Sequence, residues 1–285
     1  MVAACRLCRS ARGRRIFEKD GALYHRCRDC GLVFAVSGLN PNLENELEDY
    51  EPSYLDYLRE TPEDEAQFRS LRRWMEGFGP LRATRLLDVG AGSGKWVRHL
   101  RQRGVEACGV EPASALYRHF LAQDPFFSCD SVERFAAQRP GGFDCVTAFD
   151  VLEHVADPPP FFAALALALR PGGKLFLSTP DVSSWLARLA GRRWHYFNKY
   201  HLCLFDARTL EAAARPHGLR LLRRARRGRT KSLRYLCGYC SDFVLRRRSL
   251  RAPERLQNLV IPVNLFDTLD ACFEKESAAV ASSRS

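Results

Sequence analysis

The segment LLDVGAGSGKW, residues 86–96, most constrains what this chain can fold into. Leu86, Leu87 and Val89 form a short apolar run, which predicts a buried β-strand. The glycine-rich stretch that follows permits a tight turn and lets a ligand approach the backbone closely. From Lys95 the apolar residues take a helical spacing. A strand, a glycine turn and a helix in this order leave free amide donors at the start of the helix.

The spacing of the glycines distinguishes three kinds of ligand-binding turn. A phosphate-binding P-loop needs GxxxxGK[ST], but Val89 stands at the required glycine and Trp96 replaces the Ser/Thr. A dinucleotide fingerprint needs GxGxxG, and here the third glycine, Gly94, comes one residue early. The third possibility places an acidic residue, Asp88, at the strand end before GxGxG. The turn by itself also fits another kind of α/β protein.

The alternation of strands and helices continues beyond the turn. Apolar runs at 107–110, 126–129 and 143–149 predict three more strands. Glu111 lies about 20 residues beyond the glycine turn, where a carboxylate can accept two hydrogen bonds from a ribose diol. The segment LRPGGKLFLSTP, residues 169–180, ends a helix and begins a further strand.

These motifs resemble those of the class I S-adenosylmethionine-dependent methyltransferases. The resemblance rests on the glycine turn, on Glu111-Pro112, on DVLEHV and on LRPGGKLFLSTP, and it is close over residues 84–180. It implies an α/β fold with a Rossmann-like seven-stranded mixed sheet whose last strand is antiparallel. The last two strands are predicted at 218–224 and 263–273.

The resemblance also implies S-adenosyl-L-methionine as the cofactor. Glu111 would hold the ribose. Asp130 would meet the adenine amino group, although it would equally serve as the N-cap of a helix starting near Val132. The predicted cofactor-binding residues are Asp88, Gly90, Ala91, Gly92, Glu111, Pro112, Asp130, Ser131, Phe149 and Asp150.

Four of the 11 cysteines form an organised set near the N-terminus. They make two C-x2-C pairs separated by residues 9–26, a spacing within the range of four-thiolate zinc sites. Two short strands around the turn at 19–21 complete the layout of a zinc ribbon. We predict a structural Zn2+, with rubredoxin-like iron as an alternative. The predicted ligands are Cys5, Cys8, Cys27 and Cys30.

The chain therefore divides into three parts. Residues 1–40 form the small N-terminal zinc-ribbon domain, residues 41–80 an acidic linker with N-terminal helices, and residues 81–285 the methyltransferase domain. An aromatic insert at 181–201 suits a substrate wall and simple packing about equally. A basic tract at 220–251 contributes much of the +11 formal charge, and we expect it to be a solvated face.

Methylation of an oxygen requires a base near neutral pH, for which histidine is suited. His154 follows the fourth predicted strand of the sheet, and His201 lies in the insert. We predict that one of them takes the proton, although His154 also fits a role in helix–sheet packing. Glu153 is a weaker candidate.

The predicted function is S-adenosyl-L-methionine-dependent methylation of a small-molecule or glycan acceptor, possibly carrier-linked. O-methylation in natural-product or cell-surface biosynthesis is favoured. The alternatives are an RNA methyltransferase that holds nucleic acid with its ribbon and basic tract, and a cofactor-binding scaffold. Nucleic acid is disfavoured because the ribbon lacks a stacking cluster of aromatics. No apolar run reaches the 18 or so residues of a membrane span, and a cytoplasmic location is expected. The oligomeric state is left open.

Overall fold

The computed structural model of the chain describes residues 4–36, 55, 58–59, 61, 63–239 and 253–277. Most of the predicted acidic linker and the end of the basic tract, residues 240–251, lie outside this part of the chain. Within it, none of the helices has the length and apolar character needed to cross a membrane.

The described strands and helices alternate along the chain as the sequence predicts. In chain order the strands are β1 (Gly13–Lys19), β2 (Ala22–Cys27), β3 (Val33–Ala35), β4 (Arg85–Val89), β5 (Glu106–Val110), β6 (Phe127–Ser128), β7 (Phe143–Phe149), β8 (Leu169–Pro180), β9 (Cys203–Leu204), β10 (Leu219–Ala225), β11 (Arg229–Ser232), β12 (Val260–Val263) and β13 (Thr268–Lys275). The helices are α1 (Asp64–Glu76), α2 (Lys95–Arg101), α3 (Ser114–Phe120), α4 (Val132–Gln138), α5 (Pro158–Ala168), α6 (Trp185–Ala190), α7 (Ala207–Ala214) and α8 (Leu233–Tyr239).

A seven-stranded mixed sheet forms the centre of the molecule. Its strand order is β10-β13-β8-β7-β4-β5-β6, and β4 to β8 are parallel to one another. β13 runs antiparallel to both β8 and β10. This arrangement confirms the predicted Rossmann-like fold with its antiparallel last strand. Because the carboxyl ends of the parallel strands share one edge, the loops after β4, β5, β6, β7 and β8 meet there.

The last predicted strand, 263–273, is wrong in its limits. Val263 ends β12, which pairs with β11 in a separate two-stranded sheet, and the last strand of the large sheet begins at Thr268. A change of partner causes the division, since β13 lies between β8 and β10 and Val263 pairs with Arg229. The apolar pattern of the sequence continues across both strands, so it does not predict where one strand ends and the next begins.

The N-terminal ribbon docks on the methyltransferase domain through its backbone. β1, β2 and β3 form an antiparallel sheet, and β9 of the catalytic part adds a fourth strand to it by pairing with β3. The Tyr24 hydroxyl donates a hydrogen bond to the carbonyl of Asn198, at 2.5 Å, and the Phe17 and Tyr24 rings pack against Phe197. The ribbon and the insert after β8 are therefore one packed unit.

Two glycines of the turn after β4 are required by packing. A Cβ atom at Gly90 would lie 2.6 Å from a methyl of Val151, and one at Gly94 would lie 2.6 Å from the Phe127 ring and 2.7 Å from Leu121. Both glycines also have positive φ, which side chains rarely tolerate. The turn can therefore meet β6 and the loop after β7 only without side chains at these positions.

We predict that Gly94→Ala destabilises the protein by about 3 kcal/mol, because it combines left-handed strain with overlap in a packed core. The matched control is Gly172→Ala, since Gly172 has a similar φ of 75° and a Cβ added there would meet nothing within 4 Å. The control should cost about 1 kcal/mol. Urea unfolding measures both, and equal losses would contradict the packing argument.

Candidate functional site

The site is built from the glycine turn after β4 and the end of β5. The Gly92 amide donates to Glu111 Oε2 at 2.8 Å, and the Ala113 amide donates to Glu111 Oε1 at 3.0 Å. Burial raises the pKa of Glu111 to about 7. Each carboxylate oxygen keeps a further lone pair that a hydroxyl donor could use. Glu111 thus lies next to the turn, with Pro112 after it at the edge of the sheet, and its role in binding the ribose stays a prediction.

Asp88 lies beneath the turn, fully enclosed by the sheet. The Thr147 hydroxyl on β7 donates to Asp88 Oδ1 at 2.6 Å, which links the ends of β4 and β7. Burial raises the pKa of Asp88 to about 7, and the nearby charge of Glu111 also acts to raise it. The environment favours a protonated carboxyl close to neutral pH. Its role in cofactor binding stays a prediction, since the contact described here is to Thr147.

The cap of the helix after β6 is Ser131, and the alternative that Asp130 caps it is wrong. The Ser131 hydroxyl accepts from the Arg134 amide, as an N-cap does. Asp130 accepts from the Ser131 amide at 2.9 Å and forms an ion pair with Arg134 at 3.3 Å. Asp130 is therefore left in the position predicted for an adenine contact, at the edge of the sheet.

Phe149 and Asp150 end β7 on the same edge. Asp150 has a φ of 56°, which is uncommon for a residue with a side chain and is often found at functional sites. Its carboxylate accepts from the Ser178 hydroxyl at 2.7 Å and from Arg229 at 2.9 Å. Phe149 packs edge-on against Trp96 of α2.

Arg229 was not predicted as a residue of the site, because residues 220–251 were expected to form a solvated face. That expectation is wrong for the turn between β10 and β11. Arg226 binds the fully buried Asp181, and Arg227 binds the fully buried Asp270 at 2.7 Å. Buried carboxylates require such partners. The arginines and aspartates are far apart in the sequence, so the sequence alone did not predict that they pair.

The two predicted histidines come together beside Asp150. The rings of His154 and His201 lie 4.8 Å apart, edge to face. His154 Nδ1 lies 3.0 Å from the Tyr200 carbonyl, and His201 Nδ1 lies 2.7 Å from the Tyr196 carbonyl. Because a carbonyl only accepts, Nδ1 carries the proton in both rings and Nε2 keeps its lone pair. Burial lowers the pKa of both histidines, so both are neutral at pH 7.

Glu153 completes this group as a buried carboxyl. The Thr179 hydroxyl donates to its Oε2 at 3.1 Å, and burial raises its pKa to about 8. Glu153, His154 and His201 each offer a donor atom within 4.8 Å of the others, so the group has the composition of a cation site. The electrostatics favour a neutral Glu153, which makes it a poor proton acceptor compared with the histidines.

The aromatic insert packs against the ribbon. Trp194 and Phe197 are buried, and the Trp194 indole donates to Asp267 at 3.2 Å. Tyr196 stacks near His201, which places it at the edge of the histidine pair. Trp185, by contrast, is exposed. The packing alternative therefore holds for Trp194 and Phe197.

The four predicted metal ligands converge at the base of the ribbon. Cys5 Sγ lies 3.5 Å from Cys30 Sγ, and Cys8 Sγ lies 3.5 Å from Cys27 Sγ. All four sulfurs lie within 4.8 Å of one another. A disulfide would need about 2.05 Å, whereas the sulfurs of a tetrahedral zinc site are ~3.8 Å apart for Zn–S bonds of about 2.3 Å. The cluster has the donor set and spacing of a closed four-thiolate site.

A glycine turn between a parallel strand and a helix, a carboxylate after the next strand and this strand order define the class I methyltransferase fold. The sequence profile of the family described as "Methyltransferase domain" matches residues 55–223, more than half of the chain. The chain belongs to this family.

A solved structure and several curated proteins are similar to the chain. A SAM-dependent methyltransferase from Archaeoglobus fulgidus matches with a TM-score of 0.54 at 15% identity, over 79% of this chain and 100% of that one, which shows the fold. A ubiquinone biosynthesis O-methyltransferase of Idiomarina loihiensis is 39% identical over 110 residues, 36% of this chain and 45% of that protein. One of Xanthomonas euvesicatoria is 34% identical over 137 residues, 42% and 57% of the two chains. The chain thus spans about half the length of these relatives.

We predict that the protein without cofactor loses stability as the pH rises from about 5 to about 8. The pKa of Asp88 in the folded protein, about 7, lies above its ordinary value, so its stabilising contribution is lost as the pH rises through that value. Glu111 and Glu153 act with the same sign. In Asp88→Asn the fall in thermal midpoint should be smaller, while Glu133→Gln on the exposed face of α4 should behave as wild type. An unchanged pH slope in Asp88→Asn would contradict the assignment.

Proposed function

We propose that this chain transfers a methyl group from S-adenosylmethionine to a hydroxyl oxygen of a small-molecule acceptor. The observation that carries the proposal is the pair of neutral histidines at the edge of the sheet, beside the end of β7. The similarity to O-methyltransferases of ubiquinone biosynthesis supports a small acceptor and oxygen as the methylated atom. It favours a small molecule over the glycan or carrier-linked acceptors that the sequence also allows.

The chain's own residues fit the cofactor. Glu111, fixed by two backbone amides, would accept the ribose hydroxyls, and Asp130 would accept from the adenine amino group. Gly90 and Gly92 let the backbone approach the ligand, and Phe149 and Asp150 would form the wall toward the acceptor. Leu58 lies over the turn, since a Cβ at Gly92 would come within 3.3 Å of it, and helps exclude water. When bound, S-adenosylmethionine supplies an electrophilic methyl group on a sulfonium.

The proton of the acceptor hydroxyl would go to the histidine pair. As a whole residue, His154 is partly exposed whereas His201 is buried, which makes His154 the better candidate to contact an acceptor. His201 packs against it and orients it. The carbonyl of Tyr200 fixes the tautomer of His154, which keeps Nε2 unprotonated and basic. A neutral imidazole needs no prior deprotonation at pH 7, which suits a general base.

We also propose that Cys5, Cys8, Cys27 and Cys30 bind one structural zinc ion. With four thiolates the coordination sphere is closed, so the metal has no position for an acceptor. The Arg6 guanidinium donates to the carbonyl of Ala156 at 2.9 Å, directly after the segment that carries His154. The metal would therefore hold the ribbon in the position from which it supports the histidines.

We expect His154→Gln to lower kcat by about 10²- to 10⁴-fold, as loss of a general base does. Wild-type kcat/KM should fall on acidification with a midpoint below 6.5, because burial lowers the pKa of His154. Labelled methyl transfer to a panel of phenols and alcohols measures both. His201→Gln should change the pH profile more than it changes the rate.

Calorimetry with S-adenosylmethionine provides the matched control for this experiment. His154→Gln should keep the wild-type affinity, whereas Glu111→Ala should lose it. An unchanged rate in His154→Gln would exclude it as the base. If the cofactor binds and no acceptor in the panel is methylated, the proposed activity is wrong.

We predict that Cys8→Ser and Cys27→Ser each abolish the binding of about one zinc per chain. Ribbon folding depends on the metal because so short a segment cannot bury a sufficient core. Atomic emission gives the zinc content, and hydrogen exchange should show loss of protection in β1 to β3 and in β9. Cys129 is an exposed cysteine outside the cluster, so the Cys129→Ser variant should bind as much zinc as the wild type. Retention of metal in both cluster variants would refute the site.

A further inference from the structure

An exposed apolar surface lies just beyond the carboxyl end of β8. It consists of Trp185 and Leu189 on α6 and of Leu265 and Phe266 in the loop before β13, and we call it the apolar corner. Their exposed fractions are 54%, 78%, 37% and 49%. Scattered single apolar residues are normal on a surface, whereas four large ones on two segments joined by a backbone hydrogen bond call for an explanation.

Backbone hydrogen bonds bring the two segments of the apolar corner together. The Asp181 amide donates to the Asp267 carbonyl at 2.8 Å, one residue after Phe266. The Ser184 amide donates to the Asp181 carbonyl at 3.0 Å, so the chain turns there and α6 begins at Trp185. The corner therefore lies at the edge of the sheet that carries the candidate site.

Unlike an ordinary surface helix, α6 carries large apolar residues on its outward face as well as on its inward face. Ala187 is buried and Leu186 is partly buried against the core, which fixes the inward face. Trp185 and Leu189 are four residues apart and share the outward face. Arg188 lies between them on the same side and is exposed. The outward face is thus made of apolar and cationic side chains.

Arginines surround the apolar corner. Arg188, Arg192 and Arg193 are all exposed, and among the described residues none of them forms an ion pair. Acidic residues are missing from the whole of α6 and from the turn that follows it, residues 185–193. Indole, aliphatic and guanidinium groups on one outward face are the combination that binds the interface of an anionic bilayer. A protein partner would not by itself require these arginines.

We propose that the apolar corner and its arginines dock the protein on a membrane surface that contains anionic phospholipid. The apolar side chains would enter the boundary between headgroups and acyl chains, and the arginines would contact lipid phosphates. The association is peripheral, and the chain's net charge of +11 favours it. Two kinds of contact are needed, since either one gives only weak and reversible binding.

Docking in this orientation has a consequence for the acceptor. The insert that begins beside the apolar corner also carries Tyr196 and His201, so docking would hold the segment that contributes to the histidine pair close to the lipid surface. A lipophilic acceptor held in the bilayer could then reach the site without crossing water. This consequence rests on the proposed function, whereas the docking itself does not.

The test is co-sedimentation of the full chain with vesicles of phosphatidylcholine, with and without phosphatidylglycerol. The wild type should bind the anionic vesicles, and added salt should weaken the binding. Trp185→Ser combined with Leu189→Ser should lower the partition coefficient at least about tenfold. Arg192→Gln combined with Arg193→Gln should lower it and weaken its salt dependence.

Matched controls separate the apolar corner from general effects of charge and exposure. Leu167→Ser removes an exposed leucine of α5, and Arg223→Gln with Arg224→Gln removes two exposed adjacent arginines of β10. Both should bind vesicles as wild type, and all variants should keep the wild-type thermal midpoint. The proposal is overturned if the wild type does not sediment with anionic vesicles, or if the corner variants bind as well as the controls. It is also overturned if the corner instead forms a dimer contact. In that case the wild type would be a dimer that does not bind vesicles, and only the corner variants would be monomers.

Discussion

The close contact between the turn after β4 and the loop after β7 is the constraint on which the rest of the structure depends. It exists because Gly90 has no side chain, so Val151 can pack directly on the turn. Asp150, next to Val151, takes a left-handed conformation, and the short segment that carries Glu153 and His154 begins directly after Val151. The glycine turn and the segment that carries the candidate base are therefore held together by one packing interaction.

Some carboxylates at the edge of the sheet are paired with arginines, and others are not. The buried Asp181 and Asp270 and the exposed Asp150 each pair with an arginine of residues 226–229, which ties this segment to the ends of β7 and β8 and to β13. Asp88, Glu111 and Glu153 have no such cation among the described residues, and burial raises the pKa of each. The paired carboxylates thus fasten the outer wall of the site, whereas burial shifts the unpaired ones toward their uncharged form.

The ribbon is a structural extension of the site. β9 joins the ribbon sheet and also follows directly on His201, so the strand that accepts the ribbon fixes the histidine. The Leu202 amide donates to the Glu153 carbonyl at 2.7 Å, which connects that strand to the segment after β7. The ribbon that holds the cysteine cluster is therefore connected to the segment of the histidine pair through a short chain of backbone hydrogen bonds.

The sequence by itself determined the strands of the parallel sheet, the crossover after β4, Glu111 and the four clustered cysteines. These follow from local periodicity and fixed spacing, which short segments encode without their partners. Only the tertiary structure decided that Arg229 reaches Asp150, that Ser131 and not Asp130 caps α4, that residues 263–273 are divided between two sheets, and that the insert packs on the ribbon. Each of these depends on contacts between residues far apart in the chain or on competition between neighbouring side chains. A one-dimensional pattern does not contain that information, because the free energy that selects one contact over another comes from burial and from the pairing of charges in the folded chain.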